Sequence, residues 1–200
     1  MSPAWHLVIF AKAPRLGAVK RRLAVGIGDA AAWRFYRSTT RTLLTRLARD
    51  RRWRTWLAVT PDAAARRGRF WPVAIRRLPQ GPGDLGRRMT RMLDQCPPGP
   101  VVIVGSDIPD IDGTHVARAF ALLGTVDAVF GPALDGGYWL VGMRRRRGRR
   151  DPFRGVRWSS ADALGDTVAN LDGRYRVAML DPLADIDDRA AYEAWKTRRG

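Results

Sequence analysis

Short apolar runs, each ended by glycine, proline or aspartate and separated by helix-like segments, constrain this chain more than any other feature. "HLVIFA" (6–11), "TWLAVT" (55–60), "PVAIRRL" (72–78), "VVIVG" (101–105), "DAVFGP" (127–132), "YWLVGM" (138–143) and "RVAMLD" (176–181) read as strands. "VVIVG" has no polar alternation, the pattern of a strand covered on both faces. Between the strands, Asp29 can cap a helix to about Asp50, with Trp33, Tyr36, Thr40, Leu43, Leu44 and Leu47 on one face. Further helices are expected within 83–96, from Asp112 or Thr114 to about Leu123, across 158–171, and from about Asp187 to Lys196. Strands that alternate with helices predict a mainly parallel mixed sheet, Rossmann-like, in a three-layer αβα arrangement. No repeat or linker-like shift in composition divides residues 1–200, so one domain is expected.

Two hundred residues suffice for a core without covalent staples. A single cysteine, Cys96, excludes an internal disulfide and a multi-cysteine zinc site. The apolar runs are too short to span a bilayer, and the start lacks the long apolar region of a signal peptide, so a soluble cytoplasmic protein is expected. The net charge of +17 comes almost wholly from arginine, since Lys12, Lys20 and Lys196 are the only lysines. The tract "RRRRGRR" (144–150) reads first as a solvated loop and second as a contact for a phosphate-rich partner. No zinc-finger spacing or RNA-binding aromatic motif accompanies it, so nucleic acid is not the expected partner. Every acid except Glu193 is an aspartate, the short carboxylate suited to fixed loop positions.

Ligands of open α/β sheets sit beyond the carboxyl ends of strands, and three stretches fall there. The loop "AKAPRLGAVKRRL" (11–23) gathers Lys12, Arg15, Lys20, Arg21 and Arg22 around Gly17, a set suited to a di- or triphosphate or to a basic surface. It is not a Walker A loop. The nearby "GIGDAA" (26–31) matches a dinucleotide-binding pattern but lies well beyond the strand it should follow directly. In "VVIVGSDIPDIDG", Asp107 stands just past a strand behind the small residues Gly105 and Ser106. It is too early to cap the next helix, and it suits Mg²⁺ or Mn²⁺. Asp112, and with it Asp110, reads as a cap. Asp187 or Asp185 in "LADIDDRAAYEAW" (183–195) could supply a second carboxylate, or simply begin the last helix. "GPALDGGYWLVG" (131–142) is either a β-turn or a second substrate site. In the second case Asp135 and Tyr138 face the substrate while Gly136 and Gly137 admit it close to the backbone. His6 and His115 read as structural, and Trp33, Trp56 and Trp139 as core.

Taken together, "FAKAPRLGAVKRRL", "GDLGRRM", "GSDIPDI", "GPALDGGYWLVGM", "FRGVRWSS" and "DIDD" resemble, in order, the motifs of the DUF2064 family. The resemblance runs from residue 6 to about 195. That family is grouped with nucleotide-diphospho-sugar transferases of the GT-A type and is similar in outline to molybdenum-cofactor and phospholactate guanylyltransferases. The resemblance implies a nucleotide cradled by the first loop and by Gly83, Asp84 and Gly86, with Gln80 nearby. It also implies a divalent metal on Asp107 and Asp187. Arg21 stands where the family pattern has a small hydroxyl residue, and Asp188 directly follows Asp187 where a spaced acid is usual.

The expected function is therefore metal-dependent transfer from an NDP-sugar to a small acceptor. Asp107, Lys20 and Asp135 are the expected catalytic residues, and Lys12, Arg15 and Arg22 share the phosphate charge. The alternative is nucleotidyl transfer from a nucleoside triphosphate to a phosphorylated acceptor, with release of pyrophosphate. A third reading is a nucleotide- or nucleic-acid-binding protein without turnover.

Overall fold

In the computed structural model, residues 5–67, 70–71, 75–145 and 151–198 are described. Seven strands form one sheet: β1 Trp5–Lys12, β2 Trp53–Thr60, β3 Arg76–Pro79, β4 Val101–Gly105, β5 Ala128–Pro132, β6 Tyr138–Met143 and β7 Val177–Met179. Their spatial order is β3-β2-β1-β4-β6-β5-β7. All neighbouring pairs are parallel except those made by β6, which runs antiparallel to β4 and β5. The α/β class with its mainly parallel mixed sheet is as the sequence predicts.

Strand residues alternate between two apolar layers. Leu7, Ile9, Leu57, Val59, Val102 and Val104 pack with α2 Asp29–Ala48 and α5 Gly113–Leu122. Val8, Trp56, Ala58, Val101 and Ile103 pack on the other face with Met89, Met92 and Leu93 of α4 Leu85–Gln95. A sheet apolar on both faces must be covered on both, which yields the three layers. A separate small cluster joins Leu23 of α1 Arg21–Ile27, Ala32 and Phe35 of α2, and Ile186 ahead of α7 Arg189–Thr197. This cluster carries the chain's end back to its first loop.

Several local expectations change. The polar loop after β1 ends at Arg21 in the short helix α1, whose only buried residue is Leu23. One buried leucine gives too little periodicity to read, and packing supplies the stability that propensity does not. Asp29 is not the cap of α2. Gly28 holds that position at φ 83°, and Asp29 lies in the first turn, where its charge complements the helix dipole. The helix expected over 158–171 is confined to α6 Ala163–Ala169, because Ser159 takes a left-handed φ of 60°. The short α3 Ala63–Arg67 was not expected. Strand three begins at Arg76, and residues 72–74 of its expected range lie outside the described residues. Asp84, Asp112 and Asp188 are true N-caps, each accepting hydrogen bonds from first-turn amides. His115 completes a capping box with Asp112.

Candidate active site

The strand order reverses between β1 and β4, the place where an α/β sheet opens a crevice at its carboxyl edge. β1 ends there at Lys12 and β4 at Gly105. Tyr36 of α2 ties the two ends together. Its hydroxyl takes the Lys12 amide proton at 2.9 Å, lies 2.9 Å from the Lys12 carbonyl and sits 3.3 Å from the Ser106 hydroxyl. Trp33, half-buried rather than core, donates to the Pro14 carbonyl at 2.8 Å and fixes the start of the first loop.

That loop delivers Lys20 in a left-handed conformation, φ 47°. Its side chain is buried, 5% exposed, and its ammonium lies 3.2 Å from Asp107 Oδ2 and 2.6 Å from Asp187 Oδ1. Burial pulls the lysine's pKa down, but the two carboxylates outweigh it and hold the ammonium above its ordinary range. Burial works against the Asp187 charge as well; Lys20 and then Arg22, 3.6 Å away, prevail and keep its pKa low. A third carboxylate, Asp185, is pushed up to about 6, by burial first and then by Asp187 and Asp135.

Two clefts meet here. The first, ≈ 400 Å³, is lined by Lys12, Lys20, Arg21, Gln80 and Asp107 among others. The second, ≈ 340 Å³, shares Leu85, Gly105 and Asp107 with it and continues past Asp135, Gly137, Tyr138, Trp158 and Asp185. Between them they bring together Lys12, Lys20, Gln80, Asp107, Asp135, Gly137, Tyr138 and Asp187, all singled out from sequence. Lys20 and Ser159, the two non-glycine residues of positive φ among those described, line one cleft each.

Other expected site residues have different places. Arg15 and Gly17 lie exposed on the loop, outside the cleft lining, and Gly17 turns it at φ 70°. Arg22 is 73% exposed and reaches the site only through Asp187. Gln80 lines the cleft, yet its side-chain amide donates to the carbonyls of Ala58 at 2.9 Å and Ala11 at 3.4 Å, pinning β2 to β1. Asp84 caps α4. Gly86 makes room for packing: a Cβ there would stand 2.7 Å from Phe153 Cβ and 2.9 Å from Trp158. Gly136, at φ 85°, likewise lies so close to the Ala161 backbone that a Cβ would overlap it. Asp135 accepts from the Gly137 amide at 3.0 Å, making the turn both a β-turn and a cleft wall. The pattern at 26–31 is structural too, since a Cβ on Gly26 would press on Arg189 of α7. In the arginine tract, Arg145 donates to the carbonyls of Leu93, Cys96 and Pro97 and closes the end of α4, while 146–150 lie outside the described residues.

No motif in the sequence marks Tyr36 as a site element, and the sequence offers Asp185 only as a substitute for Asp187. The helical face showed that Tyr36 is buried, but not that its hydroxyl would meet two strand ends. Among the described residues no three His, Cys, Asp or Glu side chains form a metal-holding group. Asp107 and Asp187 do converge on one cation, the Lys20 ammonium. Two carboxylates are the protein share that Mg²⁺ commonly takes when phosphates and water complete its shell. The site thus fits a divalent ion that arrives with a nucleotide better than a resident ion in an all-protein cage.

Comparison with known proteins bears on the family and the fold. No curated protein matches the chain. Among solved structures, a Desulfovibrio desulfuricans G20 protein provisionally assigned as a nucleotide-diphospho-sugar transferase superposes with a TM-score of 0.82 at 32% identity, over 94% of this chain and 84% of that one. The 4-diphosphocytidyl-2C-methyl-D-erythritol synthase of Anaerococcus prevotii DSM 20548 shares the fold at 10% identity, TM-score 0.63, over 98% of each chain. Glucosyl-3-phosphoglycerate synthase of Mycobacterium tuberculosis, solved with Mn²⁺, UDP and glucosyl-3-phosphoglycerate, does so at 12% identity, TM-score 0.56, over 98% of this chain and 76% of that one. No helix among the described residues is long and apolar enough to cross a membrane. Residues 43–160 match the family described as an uncharacterized protein conserved in bacteria, and the chain belongs to that family, DUF2064.

Proposed function

We propose that this protein is a transferase that uses Mg²⁺ or Mn²⁺ to move a glycosyl group from a nucleoside-diphosphate sugar to a small acceptor. One observation carries the reading. A buried lysine sits between two carboxylates at the switch point of the sheet, with a basic cleft on one side and a second cleft on the other. The relatives support it: one carries the provisional assignment of nucleotide-diphospho-sugar transferase, and another was solved with Mn²⁺ and UDP.

In this reading the diphosphate lies in the first cleft against Lys12, Lys20 and Arg21, with Arg15 and Arg22 adding positive field from its rim. Asp107 and Asp187 would hold the divalent ion, which would neutralise charge on the departing diphosphate. Lys20, released from the carboxylates, turns its ammonium to the same phosphate oxygens. An acceptor hydroxyl in the second cleft attacks the anomeric carbon. A C–O bond forms, the bond from that carbon to the phosphate oxygen breaks, and the nucleoside diphosphate leaves with the electron pair. Asp135 takes the hydroxyl proton. Gly136 sets the turn, Gly137 lets the acceptor approach the backbone, and Tyr138 walls the cleft.

The density of cations around the first cleft also favours a second reading, nucleotidyl transfer with pyrophosphate leaving against Lys12, Lys20 and Arg21. A thermal-shift panel of nucleoside diphosphates, triphosphates and NDP-sugars, each with Mn²⁺ and with EDTA, separates the two. A ligand at one hundred times its Kd stabilises by about 2.7 kcal/mol, roughly 5–10 °C at this size. The expected result is a Mn²⁺-dependent shift with one NDP-sugar. A shift with a triphosphate and no sugar nucleotide would favour nucleotidyl transfer. Binding that survives EDTA and collapses with salt would instead indicate a nucleic-acid-type site.

A further inference from the structure

The second cleft differs in character from the rest of the molecule. In a chain of net charge +17, no lysine or arginine is among the described residues that line it. Asp107, Asp135, Asp185 and Asp187 do line it, with Tyr138, Trp139 and Trp158. Lys20 and Arg22 answer the charge of Asp107 and Asp187, while Asp135 and Asp185 have no ion-pair partner among the described residues. The rings form one wall: Trp158, half-buried, meets Tyr138 edge-on at 6.3 Å and Phe153 at 6.2 Å. Trp139, next along β6, is 2% exposed and packs in the opposite apolar layer against His115.

We infer that the second cleft selects an uncharged, polyhydroxylated acceptor of the sugar class and rejects phosphorylated or carboxylated ones. The inference rests on the donor reading above and adds the chemistry of the other substrate. A pyranose ring has apolar C–H faces that an indole can cover and hydroxyls that donate to carboxylates. Asp135, Asp185 and Ser160 offer such partners, and Trp158 and Tyr138 offer the flat surface. An anionic group would face Asp135 and Asp185, while Lys20, the cation that acts on Asp185, is already engaged by Asp107 and Asp187, and that juxtaposition costs affinity. The same geometry argues against a phosphate as the attacking group, and so against nucleotidyl transfer to a phosphorylated acceptor.

The test is saturation-transfer NMR on the full chain with Mg²⁺ and the nucleoside diphosphate that gives the largest thermal shift. The probes are the methyl glycosides of glucose, galactose and mannose, the 6-phosphates of the same sugars, and glucosamine. We expect saturation transfer to at least one neutral glycoside and about tenfold or more weaker binding of its 6-phosphate. Trp158→Ala should abolish the glycoside signal while the metal-dependent nucleotide shift persists, which also reports that the variant is folded. The double variant D135N/D185N should bring the 6-phosphate to within about threefold of the neutral sugar. The inference is overturned if the 6-phosphates bind as well as the neutral sugars, if glucosamine binds best, or if no sugar binds while the nucleotide does. The nucleotide shift is read separately, so its loss in the unaltered protein would count against the donor reading and take this inference with it.

Discussion

The two clefts that meet at Asp107 are built from opposite chemistry. One is lined by Lys12, Lys20 and Arg21, the other by Asp135 and Asp185 with a wall of rings. A single lysine sits at the boundary, sharing its ammonium between Asp107 and Asp187. The difference teaches that net charge describes the surface of this protein and not its second cleft. It also identifies the carboxylate–lysine junction as the part on which both halves depend.

The largest expected effect comes from breaking that junction. Asp107→Ala should abolish the Mn²⁺-dependent nucleotide shift entirely and leave the protein folded, because Lys20 keeps Asp187 as partner. An unchanged, metal-dependent shift in this variant would sink the assignment of Asp107. Lys20→Met comes next. If Lys20 stabilises the leaving phosphates as proposed, its loss should lower the rate of NDP release about 100-fold. The same variant should bind Mn²⁺ more tightly without nucleotide, since the ammonium no longer occupies the carboxylate pair. If both quantities fall together, Lys20 serves only the fold.

Gly136→Ala sharpens the contrast from the other side. The left-handed φ and the overlap with the Ala161 backbone should cost roughly 2 kcal/mol or more, and the damage should fall on the second cleft. Circular-dichroism melts would give the first quantity. Retained nucleotide binding with lost acceptor binding would give the second.

A pH series isolates Asp185. Its folded pKa of about 6 lies above the ordinary carboxylate value, so its contribution is full below about pH 4 and fades as pH rises through 6. Asp185→Asn should therefore raise Tm at pH 8 and leave it nearly unchanged at pH 4. A variant equally shifted at both pH values would show that packing, not charge, dominates at this position. The smallest effect is Asp112→Ala, the loss of one helix cap, at about 1 kcal/mol near neutrality. Burial opposes the Asp112 charge, but hydrogen bonds from Thr114 and His115 hold its pKa at about 2. The cap's contribution is present above pH 4 and is lost as pH falls toward 2. Tm differences between wild type and variant at pH 7 and pH 2 check this.

Much of the fold was legible because each strand carries its own signature. Seven runs with turn residues at their ends gave the strand positions, and the helical segments between them gave the parallel arrangement. Asp107 could be read because it stands in contiguous sequence after a strand too early for a cap. Asp84 and Gly86 show the limit. The family motif marks both positions, but only the tertiary structure shows that Asp84 caps α4 and that Gly86 leaves room for Phe153 and Trp158. A motif records that a residue type is required without recording which requirement it meets.

The sequence by itself determined the α/β class, the strand ends and the residue types available at them, because periodicity and turn chemistry act over neighbouring positions. Only the tertiary structure decided which of them meet. Lys20, Asp107 and Asp187 lie far apart along the chain, and Lys20 and Asp187 are brought together because α1, α2 and the segment leading into α7 pack through Leu23, Phe35 and Ile186. Burial of that small apolar cluster is a long-range event, and no local pattern could have announced that it places a lysine between two aspartates.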